Sequence, residues 1–492
     1  MTVGERTGPD GGTAGADVPG IDPAKLATAL DVFAELDELP VDHPDAVAVR
    51  RATARLYKSV KLRRRSEKRA SITAADAAVT SLTATGAPDR LDDETQGIPL
   101  AATSETAIVG TLLRPRSCYV CKQRYVAVDA FYHQLCPDCA ALNRSRRDAR
   151  TDLTGRRALL TGGRAKIGMY IALRLLRDGA DTTITTRFPR DAVRRFTAMP
   201  DSADWLHRLH VVGIDLRDPA QVLALADRMA EGGPLDILIN TAAQTVRRSP
   251  GSYSHLVDGE TAALPAGSPV DLLVLGHPTT AGPLALAAAP SQRQELTPDA
   301  LTALALTSGS ASFPRIAAGT AIDAGGLVPD LDAANSWSRR VHEIDPMELL
   351  EVQLCNETAP FLLISRLRPH LAASPFPRTY IVNVSAMEGQ FGRGYKGAGH
   401  PHTNMAKAAV NMLTRTSAGD MFAEGILMTS VDTGWITDER PHVTKARLAE
   451  EGFHAPLDLV DGAARVYDPI VRGEAGEDVY GCFLKDYAPA AW

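Results

Sequence analysis

The sequence predicts an α/β protein: a doubly wound parallel sheet of about seven strands with helices on both faces, preceded by a helical segment and a small cysteine-held module. Three observations carry this. From Thr154 onward, short apolar runs alternate with amphipathic stretches, the pattern of a parallel sheet covered on both sides. A glycine turn, Thr161-Gly-Gly-Arg-Ala-Lys-Ile-Gly168, falls where the first strand hands over to a helix. Ahead of it stand two close cysteine pairs, Cys118-x2-Cys121 and Cys136-x2-Cys139.

Composition narrows the class. With 492 residues, 45% hydrophobic and 23% charged, the chain can build several cores of ordinary globular character. A net charge of −6 gives no global reason for binding nucleic acid or an anionic membrane. No apolar run approaches the roughly 20 residues that cross a bilayer. Residues 1–20, rich in Gly, Asp and Thr, read as disordered and lack a signal-peptide core, so a cytoplasmic protein is expected. The expected organisation is a helical region and linker over 21–110, the cysteine module over 111–150, and the α/β domain over 151–492.

In the helical region, Asp22-Pro23 is a helix start, with Asp as cap and Pro at the first helical position. Leu26, Leu30, Phe33 and Leu36 then recur at helical spacing. A second helix begins after His43-Pro44-Asp45, with Val47, Leu56 and Val60 on its apolar side. It ends in a basic run of Lys58, Lys61, Arg63, Arg64, Arg65, Lys68 and Arg69, a solvated face or a contact for protein or nucleic acid. Ala74–Thr85 reads as a third short helix, followed by a polar linker to about Leu100.

Four cysteines in two close pairs suit a tetrahedral Zn²⁺ with every position filled, a structural site rather than a water-activating one. This leaves Cys118, Cys121, Cys136 and Cys139 as metal ligands, with His133 a substitute that four thiolates do not need. Tyr119, Tyr125, Val126, Val128, Phe131 and Tyr132 would form a hairpin and small core between the pairs. A helix over Ala140–Arg150 would follow. The module resembles zinc ribbons and treble clefs in general.

Strands are predicted at Arg157–Thr161, Thr182–Thr186, His210–Ile214, Leu235–Asn240, Thr379–Val384, Ile426–Val431 and Val479–Leu484. Helices fall between them, including Pro219–Glu231 capped by Asp218 and Pro346–Leu367 capped by Asp345. Gln244–Ser338 breaks the rhythm and reads as an insertion over the sheet's ligand edge. The glycine turn, with Thr161, Gly162, Gly163, Arg164, Lys166, Ile167 and Gly168, would let backbone amides and a helix N-terminus approach a pyrophosphate.

Further residues then fall into order: Asp215-Leu216 after the third strand, Asn240-Thr-Ala242 after the fourth, Asn356 within a helix, Ser385 at a strand end, Lys407 early in the next helix, and Thr433-Gly434 after the sixth strand. Together they resemble the short-chain dehydrogenase/reductase family over about Leu153–Tyr487. The resemblance implies a Rossmann domain and a bound nicotinamide dinucleotide. Asp215 and Leu216 would meet the adenine, Asn240 and Ala242 would shape the sheet beneath the cofactor, and Thr433 and Gly434 would begin a covering segment. Lys166 replaces the family's middle glycine, and Arg187 ends the second strand where an acidic residue would accept from a ribose 2′-OH. A guanidinium suits a 2′-phosphate, so Arg187 with Lys166 or Arg164 favours NADP(H) over NAD(H).

The family's chemistry uses Asn, Ser, Tyr and Lys. Asn356, Ser385 and Lys407 match three of them, but the tyrosine's position, four residues before the lysine, holds Thr403. An aliphatic hydroxyl is a far weaker acid than a phenol and cannot inherit that role. His402, Tyr395 and His400 are the neighbouring substitutes. Two functions follow: an NADP(H)-dependent oxidoreductase acting on a small molecule's carbonyl, hydroxyl or C=N group with an altered proton donor, or an inactive NADP(H)-binding sensor or scaffold. The resemblance also implies a homo-oligomer through the helices bearing Asn356 and Lys407, which the zinc module and insertion could obstruct.

Overall fold

The computed structural model describes residues 20–88, 90, 107–248, 250–264, 269–275, 323, 325–327, 334–392, 394, 396–437, 439–441, 444–445, 447–448 and 451–492. The chain divides into two compact units, Met1–Ala74 and Ala75–Trp492. The first contains helix α1 (Pro23–Leu36), whose N-cap Asp22 accepts from Ala24 N at 2.8 Å as the sequence predicts. Helix α2 (Pro44–Thr80) is a single long helix that takes in most of the stretch expected as a third one. Its basic residues from Lys58 to Arg69 face solvent. So do Leu26, Leu30, Phe33 and Leu56, placed on apolar sides by the sequence. The expected disorder of 1–20 lies, but for Gly20, outside the described residues, as does the linker from 91 to 100.

The second unit is built on a nine-stranded sheet in the order β11-β10-β9-β8-β6-β3-β4-β5-β7. Its strands are β3 (Arg157–Thr161), β4 (Asp181–Thr186), β5 (Leu209–Gly213), β6 (Ile237–Asn240), β7 (Asp271–Val274), β8 (Thr379–Ser385), β9 (Ile426–Asp432), β10 (Phe483–Lys485) and β11 (Ala488–Ala490). All neighbours run parallel except β10 and β11. The two strands beyond the expected seven sit at the edges. One, β7, comes from the apolar run inside the insertion; it pairs with β5 through Leu272 opposite Val211, a register that no local pattern reveals.

Both faces are covered, so the strands read as continuous apolar runs rather than alternating ones. Leu159 packs with α6 (Pro219–Glu231) and α9 (Ala359–Ala372), among Val222, Leu225, Leu363 and Leu367. Leu160, pointing the other way, packs with α4 (Lys166–Arg177) and α11 (Leu459–Glu474), among Ile171, Leu175, Tyr467 and Ile470. Truncating either leucine, both fully buried, would cost about 2–5 kcal/mol. Chain order reverses at β3, whose neighbours are β4 and β6. Ligands of open parallel sheets bind at such a switch point, beyond the carboxyl ends of the strands.

The cysteine module belongs to this same compact unit. Strands β1 (Ile108–Ser117) and β2 (Arg124–Asp129) form an antiparallel pair, and α3 (Pro137–Arg147) follows the second cysteine pair. Arg147 makes a two-pronged bond to Asp458 at 2.6 and 2.8 Å, and the Tyr132 hydroxyl donates to Asp461 Oδ1 at 2.6 Å, clamping the module onto the start of α11. Among the described residues no helix is long and apolar enough to cross a membrane.

Candidate active site and metal centre

Strand register brings Thr161, Asn240, Ser385 and Asp432 to one edge, since Thr161 lies opposite Asn240, Asn240 opposite Asn383 and Ser385 opposite Asp432. Above that edge opens a cavity of about 970 Å³. Its floor is the glycine turn. Gly162 has φ +76°, and a Cβ there would lie 2.9 Å from Ala242 Cα; a Cβ on Gly168 would meet Gly162 O at 2.0 Å. Thr161 Oγ1 accepts from Thr241 N and Ala242 N, both at 3.1 Å, tying the turn to the end of β6. The backbone here is packed to contact, leaving no room for a side chain at either glycine. Lys166 adopts φ +52°, so the position where the family carries glycine keeps a left-handed backbone with lysine in it.

The basic residues expected to hold a 2′-phosphate divide. Arg164 is committed elsewhere: it pairs with Asp191 at 2.5 Å and donates to Gly325 O at 2.6 Å. Lys166 stands 3.8 Å from both Asp323 and Glu439. Arg187 lines the cavity with its guanidinium 5.5 Å from the ring centre of Tyr253, and among the described residues it has no carboxylate within ion-pair distance. Burial works against its charge, and Tyr253 and Asp215 more than offset that. Asp215 itself is bonded by Arg217 at 2.6 Å. Burial alone would raise its carboxyl; Arg217 and Arg187 hold it below the usual range. Leu216, Ile167, Thr433 and Gly434 also line the cavity.

Asn240 lies beneath, its amide donating to Asn383 at 2.9 Å in a buried network that continues to Thr414 and Ser430. Asn356 sits in a π turn (Leu354–Thr358) between α8 (Pro346–Gln353) and α9. It bonds both backbone groups of Gln244, accepting at 2.7 Å and donating at 3.0 Å. The π turn widens the helix where it passes the site, a common position for such bulges.

Ser385 ends β8, and among the described residues its buried Oγ has no partner. Lys407 on α10 (Pro401–Phe422) is half-buried and donates to Val384 O at 2.7 Å. Burial pushes its ammonium down to about 8, partly opposed by Cys355.

Two sequence candidates lie away from the cavity. Thr403 Oγ1 donates to His400 O at 2.9 Å, so its hydroxyl serves the first turn of α10. His402 is buried against Glu348, 3.8 Å away on α8. Neither is placed to exchange a proton with a molecule in the cavity. Tyr395 lies outside the described residues. The face that α10 turns to the cavity is instead His400, Asn404 and Lys407, spaced at i, i+4 and i+7. His400, at φ +41°, stacks on Trp337 with ring centres 3.8 Å apart and donates from Nδ1 to Trp337 O at 2.8 Å. That bond places its proton on Nδ1 and leaves the Nε2 lone pair available. Asn404 Oδ1 is buried without a partner among the described residues.

The cysteine cluster is compact. Sulfur atoms of Cys118, Cys121, Cys136 and Cys139 all lie within 4.8 Å of one another, and Cys121 Sγ is 3.7 Å from Cys136 Sγ. Zinc–sulfur bonds of about 2.3 Å in a tetrahedron put sulfurs about 3.8 Å apart, so the four fit a zinc ion. His133 is excluded from the set: its Nδ1 is 2.8 Å from Thr85 Oγ1 and its Nε2 2.9 Å from Gln134. Sequence reasoning missed that Tyr119 and Lys122, within and beside the first cysteine pair, line the same cavity as Ser385 and Lys407. Lys485 and Trp337 were missed as well. No spacing signal could have found these, because each comes from a segment distant in sequence.

Comparison with known proteins agrees with this geometry. Residues 156–258 match the short chain dehydrogenase family model. An uncharacterized protein of Acanthamoeba polyphaga mimivirus is 30% identical over 379 residues, covering 73% of this chain and 72% of the viral protein. A probable oxidoreductase of Streptomyces lividans is 41% identical over 91 residues, 18% of this chain and 29% of that protein. Among solved structures, a short chain dehydrogenase from Burkholderia cenocepacia in complex with NADP aligns with a TM-score of 0.42 at 19% identity, covering 68% of this chain and 97% of that one. The match to the short-chain dehydrogenase family thus spans the glycine turn and the strands that follow it, while the mimivirus protein shares most of the chain's length.

Proposed function

We propose that the chain is an NADP(H)-dependent oxidoreductase acting on a carbonyl, hydroxyl or C=N group of a small molecule, with His400 in the role of the missing phenol. The observation that carries the reading is the convergence of Ser385, His400, Asn404 and Lys407 on one cavity above a glycine turn packed to contact. When bound, the nicotinamide supplies or removes the hydride. Ser385 Oγ, buried and without a partner among the described residues, holds the substrate oxygen. His400 Nε2 takes the proton of a substrate hydroxyl during oxidation, and the imidazolium returns one during reduction. Lys407 holds the nicotinamide ribose, and Asn404 orients the substrate or a water. Thiolate ligation of a metal by Cys118, Cys121, Cys136 and Cys139 suits a reducing, cytoplasmic setting.

His400→Gln tests the donor. Turnover on an alcohol and carbonyl panel is expected to fall by about 100-fold or more while NADPH binding stays, as for the loss of a general acid–base group. Unchanged turnover would remove His400 from the mechanism. Burial lowers the His400 pKa, against the opposing influence of its bond to Trp337 and of Glu388. The neutral base therefore predominates at neutral pH. Oxidation should decline only as pH falls through that depressed value, and reduction should rise over the same interval.

Arg187→Ala reads cofactor choice. NADPH affinity is expected to drop about 10- to 100-fold, the worth of one charge-assisted contact, with NADH affinity unmoved. Equal losses for both coenzymes would refute a 2′-phosphate role. A second reading, an NADP(H)-binding sensor without turnover, is favoured by Thr403 standing in the phenol's place with its hydroxyl bonded to His400 O. NADPH binding with no oxidation across the panel would select it.

A further inference from the structure

Tyr119 lies between the first two zinc-ligating cysteines, yet it faces the cavity, and its phenol oxygen accepts the backbone N–H of Trp435 at 2.9 Å. Trp435 follows Thr433-Gly434, the segment leaving β9 at the cavity's edge. We infer that the cysteine module is a wall of the active site, and that Tyr119 is a positioning residue through which the metal-held knuckle sets the Thr433–Trp435 segment. The functional consequence rests on the oxidoreductase reading; the mechanical link does not.

On the knuckle side the geometry is closely tied. Cys118 N donates to Gln123 O and Tyr119 N to Gln134 O, both at 2.8 Å, while Lys122 N donates to Cys118 O at 3.1 Å with Lys122 at φ +63°. The Tyr119 ring is flanked by the ammonium groups of Lys122 at 5.0 Å and Lys485 at 5.9 Å. With both its amide and its ring engaged, Tyr119 can follow the metal site but cannot swing independently of it.

The segment it holds has little room to adjust. Gly434 is at φ +76°, and a Cβ there would lie 2.7 Å from Leu457 Cδ1. Gly434 N donates to Asp432 Oδ1 at 3.2 Å, and Leu457 N to Trp435 O at 3.3 Å. The Trp435 ring packs against Phe453 with centres 5.1 Å apart. Module, strand end and the approach to α11 thus meet on three consecutive residues. A shift of the knuckle would be transmitted to the Thr433–Trp435 segment at the cavity's edge.

The test compares four samples by hydrogen exchange and NADPH titration: the zinc-loaded protein, the protein stripped with chelator, the same protein reloaded with zinc alone, and Tyr119→Phe. Phenylalanine keeps the ring and both cysteine pairs but removes the oxygen that accepts the Trp435 amide. Expected results are one zinc per chain in both wild type and variant, and Trp435 amide exchange at least fivefold faster in the variant and in stripped protein. Reloading should reverse the stripped sample. NADPH affinity should weaken about five- to tenfold in the variant. Unchanged Trp435 exchange in zinc-loaded Tyr119→Phe would overturn the inference, as would a folded protein that holds no zinc. Failure of zinc-loaded wild type to bind NADPH would instead count against the oxidoreductase reading, with the exchange arm still deciding the mechanical link.

Discussion

Removing zinc, by chelation or by Cys139→Ser, is expected to destabilise the Ala75–Trp492 unit by several kcal/mol and lower its melting temperature by on the order of 10 °C. Cys118, Cys136 and Cys139 are each exposed by less than a tenth, and four sulfurs lie within 4.8 Å. Without a cation these groups must either carry protons in poor surroundings or separate. Separation would open the small core of Tyr125, Val128, Tyr132, Leu135 and Ala140. The loss should be smaller than the roughly 10–16 kcal/mol of an isolated zinc peptide, because Arg147 and Tyr132 still grip Asp458 and Asp461. Calorimetry with and without chelator measures the shift. Metal analysis of protein prepared without chelator provides the check, and well under one zinc per chain would refute the site.

Lys407→Met should be the most damaging substitution for catalysis that leaves a folded chain. Its half-buried ammonium borders the cavity and donates to Val384 O one residue before Ser385. Losing it removes the proposed ribose contact and leaves a carbonyl unpaired at the strand end that positions the serine. Turnover is expected to fall by at least about 1000-fold, with a stability cost of about 1–3 kcal/mol from the orphaned carbonyl. A variant with more than a tenth of wild-type turnover would show that the lysine is merely structural. The pH dependence has a definite sign. Burial brings this ammonium down to about 8, so it is charged at neutral pH and NADPH binding should weaken as pH rises through that value. Bound anionic coenzyme would favour the charged form and move the transition upward, so the free protein should show the lower midpoint. Stability runs the other way: between about 8 and the ordinary value of 10.5 the unfolded chain binds more protons, so this group makes folding more favourable as pH rises across that interval.

Catalytic candidates were legible to different degrees. Ser385 and Lys407 were readable because they occur at a strand end and an early helical turn. Thr403 stands out in the sequence at the position where the resemblance expects a tyrosine, but its orientation was not readable. Four residues before Lys407 it should share the lysine's face, yet its hydroxyl is taken by His400 O at the left-handed start of α10. That start rotates the cavity-facing row to His400, Asn404 and Lys407. His402 looked suitable by intrinsic acidity, and only packing shows it turned toward Glu348.

What the sequence by itself determined is local: strand and helix periods, caps such as Asp22, Asp218 and Asp345, a turn with glycine at the crowded positions 162 and 168, and four cysteines at metal spacing. These depend on backbone sterics and on neighbours within a few residues, so a linear reading reaches them. Tertiary structure decided which groups share a cavity. Tyr119 meets Trp435 across 316 positions, and Arg147 meets Asp458 across 311. Such pairings follow from how the module docks on the sheet's helices. Docking is selected by summed burial and charge complementarity over whole surfaces, which no single stretch of sequence contains.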